Sequence, residues 1–75
     1  MSITVLTQPM CGPCTQVKKF LTNRGIEFEE RDVTADEEAR NLLLSLGHTG
    51  TPVVIAGDDH WKGIDLAKMR ELAAA

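Results

Sequence analysis

The amino-acid sequence predicts an α/β fold with the element order β-α-β-α-β-β-α. Short β-prone runs alternate with segments of helical periodicity, and two closely spaced β-prone runs follow in the second half of the chain. The first two strands, which are joined by a helix, should be parallel with a right-handed connection, and the last two should form a hairpin that completes the sheet. We therefore expect a four-stranded mixed sheet flanked by helices.

The first strand and the first helix flank the cysteines. Residues 3–6 form a β-prone run that ends before Pro9, which predicts a buried strand. A helix is predicted from about residue 12 to residue 24, with Gly25 as its stop. Its apolar positions share one helical face: Val17, Phe20 and Leu21.

The second strand and helix are predicted from charge and capping signals. Residues 26–33 begin with apolar and acidic residues in alternation and end in charges, which suits an edge strand. Thr34 and Glu37 have the spacing of a capping box, and Gly47 is the expected C-cap of the helix that follows. The apolar residues of this helix repeat at i, i+3, i+4 and i+7: Ala39, Leu42, Leu43 and Leu46.

The last three elements are predicted to be a hairpin and a helix. Residues 53–56 read as a strand, residues 57–59 as a turn, and a second short strand includes His60 and Trp61. A final helix covers roughly residues 65–73, with a buried side of Leu66, Met69, Leu72 and Ala73. Repeats, linkers and low-complexity segments are absent, so we expect residues 1–75 to form a single domain.

The composition excludes several classes of function. The 75 residues are 43% hydrophobic and 25% charged, as in ordinary globular proteins, and the net charge of −3 argues against nucleic acid as a main partner. The N-terminus lacks the pattern of a secretory signal, and no segment approaches membrane-spanning length. We therefore expect a monomer in the cytoplasm.

Cys11 and Cys14, the only two cysteines, allow three interpretations: a structural clip, a metal site or a redox site. A clip is unfavourable because the loop it closes is short and the cytosol keeps such pairs reduced. Zinc prefers four ligands, and the remaining candidates, His48 and His60, are twelve residues apart and expected on different loops. The sequence therefore favours a redox site, and a non-catalytic metal- or cluster-binding module remains the alternative of another class.

The chemistry of a redox site explains each residue of the motif. A cysteine at a helix N-terminus lies beside free N–H groups and the positive end of the helix dipole, which favours a thiolate and lowers the pKa of Cys11. Cys14, one turn further, is placed to attack the mixed disulfide. Gly12 leaves room for a substrate, and Pro13 is tolerated in the first turn of a helix.

With this motif, the topology and the Thr51-Pro52 pair, the chain resembles the thioredoxin-fold family. It is most similar to the small glutaredoxin-like proteins called NrdH redoxins. The stretches that carry the resemblance run nearly end to end: residues 3–5, the Thr-x-Pro-x-Cys-x-x-Cys stretch at 7–14, and residues 18–19, 36–40, 51–54 and 60–63.

The resemblance implies a thiol–disulfide oxidoreductase without a cofactor. Cys11 would be the attacking sulfur and Cys14 the resolving one, and together they would form the redox-active disulfide. Pro52 would be a cis-proline, and the backbone of Thr51 would hydrogen bond a peptide or glutathione. The family takes electrons from thioredoxin reductase and passes them to a class Ib ribonucleotide reductase, so these two proteins are the implied partners.

The chain departs from the NrdH pattern in two places, and the second of them leaves glutathione as a possible partner. Gly12 and Pro13 are the pair found in thioredoxins, and the segment after the tryptophan lacks the arginine and proline typical of NrdH redoxins. Gly63 and Asp65 instead resemble the Gly-x-Asp with which glutaredoxins receive the γ-glutamyl group of glutathione. Against glutathione, Gln8 stands where many glutaredoxins hold a lysine. A glutathione-dependent glutaredoxin therefore remains an alternative function.

Trp61 and Asp65 each have two interpretations. Trp61 is either an apolar docking surface beside the cysteines or a residue packed under the last helix. Asp65 either contacts an amine of the substrate or caps that helix. We predict both as substrate-binding residues together with Thr51, Pro52 and Gly63.

Overall fold

The computed structural model describes residues 2–74, which form seven elements in the predicted order. They are β1 (Ile3–Thr7), α1 (Gly12–Asn23), β2 (Glu29–Asp32), α2 (Glu37–Ser45), β3 (Val53–Ala56), β4 (Asp59–Lys62) and α3 (Leu66–Ala74). The expected domain limits fall on Met1 and Ala75, which lie outside the described residues. Across residues 2–74, no helix has the length and apolar character needed to cross a bilayer.

The strands of the described chain form one mixed sheet in the order β2-β1-β3-β4. β1 pairs with β2 in parallel, and β3 pairs with both β1 and β4 in antiparallel fashion. The helical crossover accounts for the parallel β1–β2 pair, and the tight turn accounts for the antiparallel β3–β4 pair. The predicted α/β fold with a four-stranded mixed sheet is confirmed.

The two faces of the sheet bury different residues because side chains alternate along each strand. One cluster joins the sheet to α1 and α3 and contains Ile3, Val5, Val17, Leu21, Val54, Ala56, Trp61 and Met69. The second joins it to α2 and contains Leu6, Ala39, Leu43 and Val53. Val5 and Leu6 are fully buried on opposite faces, as are Val54 and Val53, so β1 and β3 are the two inner strands of the core.

β2 is an edge strand, as predicted, but it is shorter than residues 26–33. The N–H of Ile26 donates to the carbonyl of Leu21 at 2.9 Å, which completes the end of α1. The side chains of Ile26 and Phe28 pack against the first core cluster. The alternation of this segment therefore reflects burial of the connecting loop and not pairing in the sheet.

The predicted capping box at the start of α2 is wrong. The N-cap is Asp36, whose carboxylate accepts the N–H of Ala39 at 3.1 Å. Thr34 instead turns back: its N–H and hydroxyl both donate to Oδ1 of Asp32, at 2.8 and 2.6 Å. Thr34 therefore bonds to Asp32 and does not cap α2. The helix starts two residues later than a cap at Thr34 would require.

The buried side predicted for α3 is partly wrong. Met69 is fully buried and Leu72 half-buried, but Leu66 is 51% exposed and Ala73 is exposed. Leu66 is the first residue of α3 and Ala73 lies in its last turn. Both therefore lie towards the ends of the helix, whereas Met69 in its middle packs into the core.

Candidate functional site

The cysteine pair lies where β1 ends and α1 begins, as predicted. Cys11 is the N-cap of α1, and its Sγ accepts the N–H of Cys14 at 3.1 Å. The two sulfurs are joined as a disulfide, with 5.2 Å between the Cα atoms. A sulfur held by a helix N-terminal amide is in a position where the amide and the dipole both favour negative charge.

The two sulfurs differ in accessibility. The side chain of Cys14 belongs to the core and is 2% exposed, whereas Cys11 is half-buried. A bulky disulfide can therefore reach Cys11 but not Cys14. This difference agrees with an attacking role for Cys11 and a resolving role for Cys14.

Gly12 and Pro13 form the exposed start of α1 between the two cysteines. Pro13 lies in the first turn, where a missing N–H breaks no helical bond. A Cβ added at Gly12 would meet nothing within 4 Å. The surface beside the disulfide is therefore open to an approaching molecule.

A second loop brings Thr51 and Pro52 to the cysteine pair. The Thr51-Pro52 peptide bond is cis, as the resemblance implied. The hydroxyl of Thr51 donates to Sγ of Cys11 at 3.7 Å. The carbonyl of Pro52 accepts the N–H of Gly63 at 2.8 Å, and Gly63 has the positive φ of 79° that favours glycine. The structure thus groups Cys11, Thr51, Pro52 and Gly63.

Trp61 and Asp65 have structural roles in this fold. Trp61 is 8% exposed and shares its core cluster with Met69 of α3, which matches the interpretation that it packs under the last helix. Its Nε1 has no hydrogen-bond partner within residues 2–74. The carboxylate of Asp65 accepts the N–H of Lys68 at 3.2 Å and so caps α3. Their contacts with substrate stay predictions.

An open groove of about 430 Å³ lies beside Cys11 and is lined by the β1–α1 loop, α1 and β2. At its floor, the buried hydroxyl of Thr7 donates to Oε2 of Glu30 at 3.0 Å. Lys18 forms an ion pair with the same oxygen at 2.8 Å. The hydrogen bond from Lys18, aided by that from Thr7, lowers the pKa of Glu30 against the opposing effect of burial.

Sequence reasoning missed the role of Glu30 and Thr7 in this groove. The charges of β2 were interpreted as those of an edge strand, which they are. The pairing of Glu30 with Lys18 depends on the parallel register of β1 and β2, in which Val5 lies opposite Glu30. Local periodicity contains no signal for that register.

The two histidines lie on different segments, as expected, but their side chains contact each other. Nε2 of His48, after α2, lies 2.8 Å from Nδ1 of His60 in β4, with the rings edge to face. One ring must donate and the other accept. In the described part of the chain, no three His, Cys, Asp or Glu side chains are grouped to hold a metal ion.

Comparisons with known proteins extend over most of the chain. The sequence model of the glutaredoxin family matches residues 3–61. The glutaredoxin-like protein NrdH of Escherichia coli K12 is 41% identical over 63 residues, which cover 84% of this chain and 78% of that protein. The structure of the Escherichia coli NrdH-redoxin superimposes with a TM-score of 0.89 at 38% identity, covering 96% and 95% of the two chains. The thioredoxin-like protein BC3987 gives a TM-score of 0.86 at 39% identity, covering 95% of this chain and 99% of its own.

Proposed function

We propose that thioredoxin reductase supplies the electrons of this chain, which belongs to the glutaredoxin family and there to its NrdH-type redoxins. The chain is a thiol–disulfide oxidoreductase with the thioredoxin fold. What is proposed is the route of the electrons: from thioredoxin reductase, through Cys11 and Cys14, to a protein disulfide.

The cysteine pair carries two electrons by two exchange steps. The Cys11 thiolate attacks one sulfur of the substrate disulfide, so that a mixed disulfide forms and the other substrate sulfur leaves and takes a proton. Cys14 then loses its proton and attacks Sγ of Cys11, which releases the second substrate sulfur as a thiol. The substrate disulfide is reduced to two thiols, and the Cys11–Cys14 disulfide forms in exchange.

The charge balance of the groove favours a protein donor over glutathione. Glutathione carries two carboxylates, which cationic side chains recognise best. Lys18 is the only cation among the described residues that line the groove, and Glu30 neutralises it at 2.8 Å. Asp32 adds a further negative charge at the rim. In agreement, the Escherichia coli NrdH-redoxin is described as having a thioredoxin-like activity profile.

Turnover with purified components tests the donor. Insulin disulfide reduction is followed by NADPH oxidation, once with thioredoxin reductase and once with glutathione and glutathione reductase. We expect turnover in the first system and little in the second, and Cys11→Ser should be inactive in both. Turnover in the glutathione system alone would assign the electrons to glutathione and refute the proposal.

The recipient that the resemblance supports is a class Ib ribonucleotide reductase, and the compartment is the cytoplasm, where dithiols are kept reduced. The test uses Cys14→Ser, which stops the reaction at the mixed disulfide. We expect it to form a dithiothreitol-sensitive adduct with purified oxidised class Ib reductase, while Cys11→Ser forms none. The absence of an adduct with Cys14→Ser would exclude this recipient.

A further inference from the structure

We propose that the hydroxyl of Thr51 is a catalytic group, which donates a hydrogen bond to the Cys11 thiolate whenever that anion forms. The resemblance implied a role for the backbone of Thr51; the inference here concerns its side chain. It rests on the thiol–disulfide chemistry of Cys11 and is independent of whether a reductase or glutathione supplies the electrons.

Two donors from distant parts of the chain converge on one sulfur. The N–H of Cys14 lies 3.1 Å from Sγ of Cys11, within the same helical turn. The hydroxyl of Thr51 lies 3.7 Å from the same atom and comes from a loop 40 residues further along the chain. Thr51 is half-buried, so water competes only partly for its hydroxyl.

A hydrogen bond to this sulfur is worth more in one protonation state than in the other. A thiol or disulfide sulfur is a weak acceptor, whereas a thiolate is charged and accepts strongly. Donation from Thr51 therefore favours the anion over the neutral forms. Because only the thiolate attacks disulfides, the reactive fraction of Cys11 at neutral pH increases.

The same bond acts when the first exchange step runs in reverse. The free substrate thiolate then attacks the substrate sulfur of the mixed disulfide, the substrate disulfide forms again, and Cys11 leaves as a thiolate. A stabilised thiolate leaves faster, since the rate depends on the basicity of the leaving sulfur. Thr51 thus assists Cys11 both when it attacks and when it leaves.

The simpler role for Thr51 is steric: a β-branched residue that shapes the turn before Pro52. Valine keeps that shape and removes the hydroxyl, while serine keeps the hydroxyl and removes the methyl group. Thr49→Val makes the same substitution at an exposed position of the same loop and serves as the matched control.

The experiment measures the alkylation of Cys11 by iodoacetamide against pH, on the reduced full chain, with the labelled cysteine identified by mass spectrometry. For Thr51→Val we expect the rate at pH 7 to fall about threefold to tenfold, as for the loss of one hydrogen bond of ordinary net strength. The rate should recover at alkaline pH, where all of Cys11 is thiolate. Thr51→Ser should restore most of the neutral-pH rate, and Thr49→Val should match the parent.

Several results would overturn the proposal. A Thr51→Val profile superimposed on the parent profile would show that the hydroxyl does not stabilise the thiolate. Equal losses in the serine and valine variants would assign Thr51 a steric role. If the valine variant does not fold by circular dichroism, Thr51→Ala against Thr51→Ser gives the same comparison. No donor or recipient protein is present, so the result is separate from the turnover assay.

Discussion

Cys11 and Cys14 occupy different surroundings although three positions separate them in the chain. Sγ of Cys11 accepts a hydrogen bond from the N–H of Cys14 and one from the hydroxyl of Thr51. Cys14 lies in the core at 2% exposure, where an apolar environment disfavours a charged sulfur. Reactivity should therefore be divided unequally between two residues of the same type.

A limiting amount of iodoacetamide should reveal this division. With the reduced protein at neutral pH, we expect the label on Cys11 before Cys14, by peptide mass spectrometry, because Cys11 is accessible and its anion is stabilised. In urea the preference should disappear, since both environments are lost on unfolding. Earlier labelling of Cys14 in the folded protein would reverse the assigned roles.

At the residue scale, the sequence predicted the cysteines because their spacing and position relative to a strand and a helix are local features. The hydroxyl of Thr51 at Cys11 and the Thr7–Glu30–Lys18 group were not predicted. Each joins segments that meet only after the sheet has formed, and the exact register decides which atoms come into contact.

At the element scale, the start of α2 shows where local signals compete. Thr34 and Asp36 are both good N-caps by residue type, and the capping-box spacing of Thr34 and Glu37 predicted Thr34. The structure assigns the cap to Asp36, which also forms an ion pair with Arg31 at 2.9 Å. Backbone bonding to Ala39 and the bond from Arg31 hold the pKa of Asp36 below its ordinary value of 3.8.

Two substitutions of Asp36 separate its cap from its charge. Asparagine still caps a helix but cannot pair with Arg31, whereas alanine loses both interactions. We expect the urea midpoint to decrease slightly for Asp36→Asn and clearly further for Asp36→Ala. Equal midpoints for the two variants would mean that the cap contributes nothing to stability. A lower midpoint for Thr34→Ala than for Asp36→Ala would support Thr34 as the N-cap of α2.

The His48–His60 contact connects the loop after α2 to the edge strand β4. This is the segment that leads to Thr51, so its anchoring bears on the cysteine site. We expect a double-mutant cycle of His48→Ala and His60→Ala to give a coupling energy of about 1 kcal/mol in urea unfolding. Strict additivity of the two substitutions would mean that the contact does not stabilise the fold.

At the scale of the whole molecule, carboxylates near the surface make the free energy of unfolding depend on pH. Hydrogen bonds and ion pairs lower the pKa of four carboxyl groups: Glu30, Asp32, Asp36 and Asp59. A carboxyl group with a lowered folded-state pKa stabilises the fold above its ordinary value, which is 4.5 for Glu30 and 3.8 for the others. That contribution is lost as the pH falls through the folded pKa.

The urea midpoint should therefore decrease from neutral pH to about pH 3. Lys68 affects stability at high pH. Its hydrogen bond to Asp59 raises the pKa of Lys68 above 10.5, so its contribution to stability is present at neutral pH and is lost only in strong alkali. High salt should reduce the acid dependence because exposed pairs are screened. A midpoint at pH 3 equal to or above the neutral value would contradict these pKa directions.

The fold as a whole was the most predictable feature, since element order and hydrophobic spacing determine the sheet and its two covered faces. Element ends were less predictable. Ile26 and Leu66 each fit the expected apolar pattern, but the first packs from a loop and the second is exposed. Their positions depend on where the core ends, which is a property of the assembled chain.

The burial of Cys14 restricts the order in which large partners can act. Since Cys11 alone presents its sulfur at the surface, an electron donor and a recipient must occupy the same face in turn and never together. Steady-state kinetics should then be ping-pong, with parallel lines in double-reciprocal plots and inhibition by an excess of either partner. The two partners compete for one binding face, and the rate of electron transfer through the protein is highest when neither partner is in large excess.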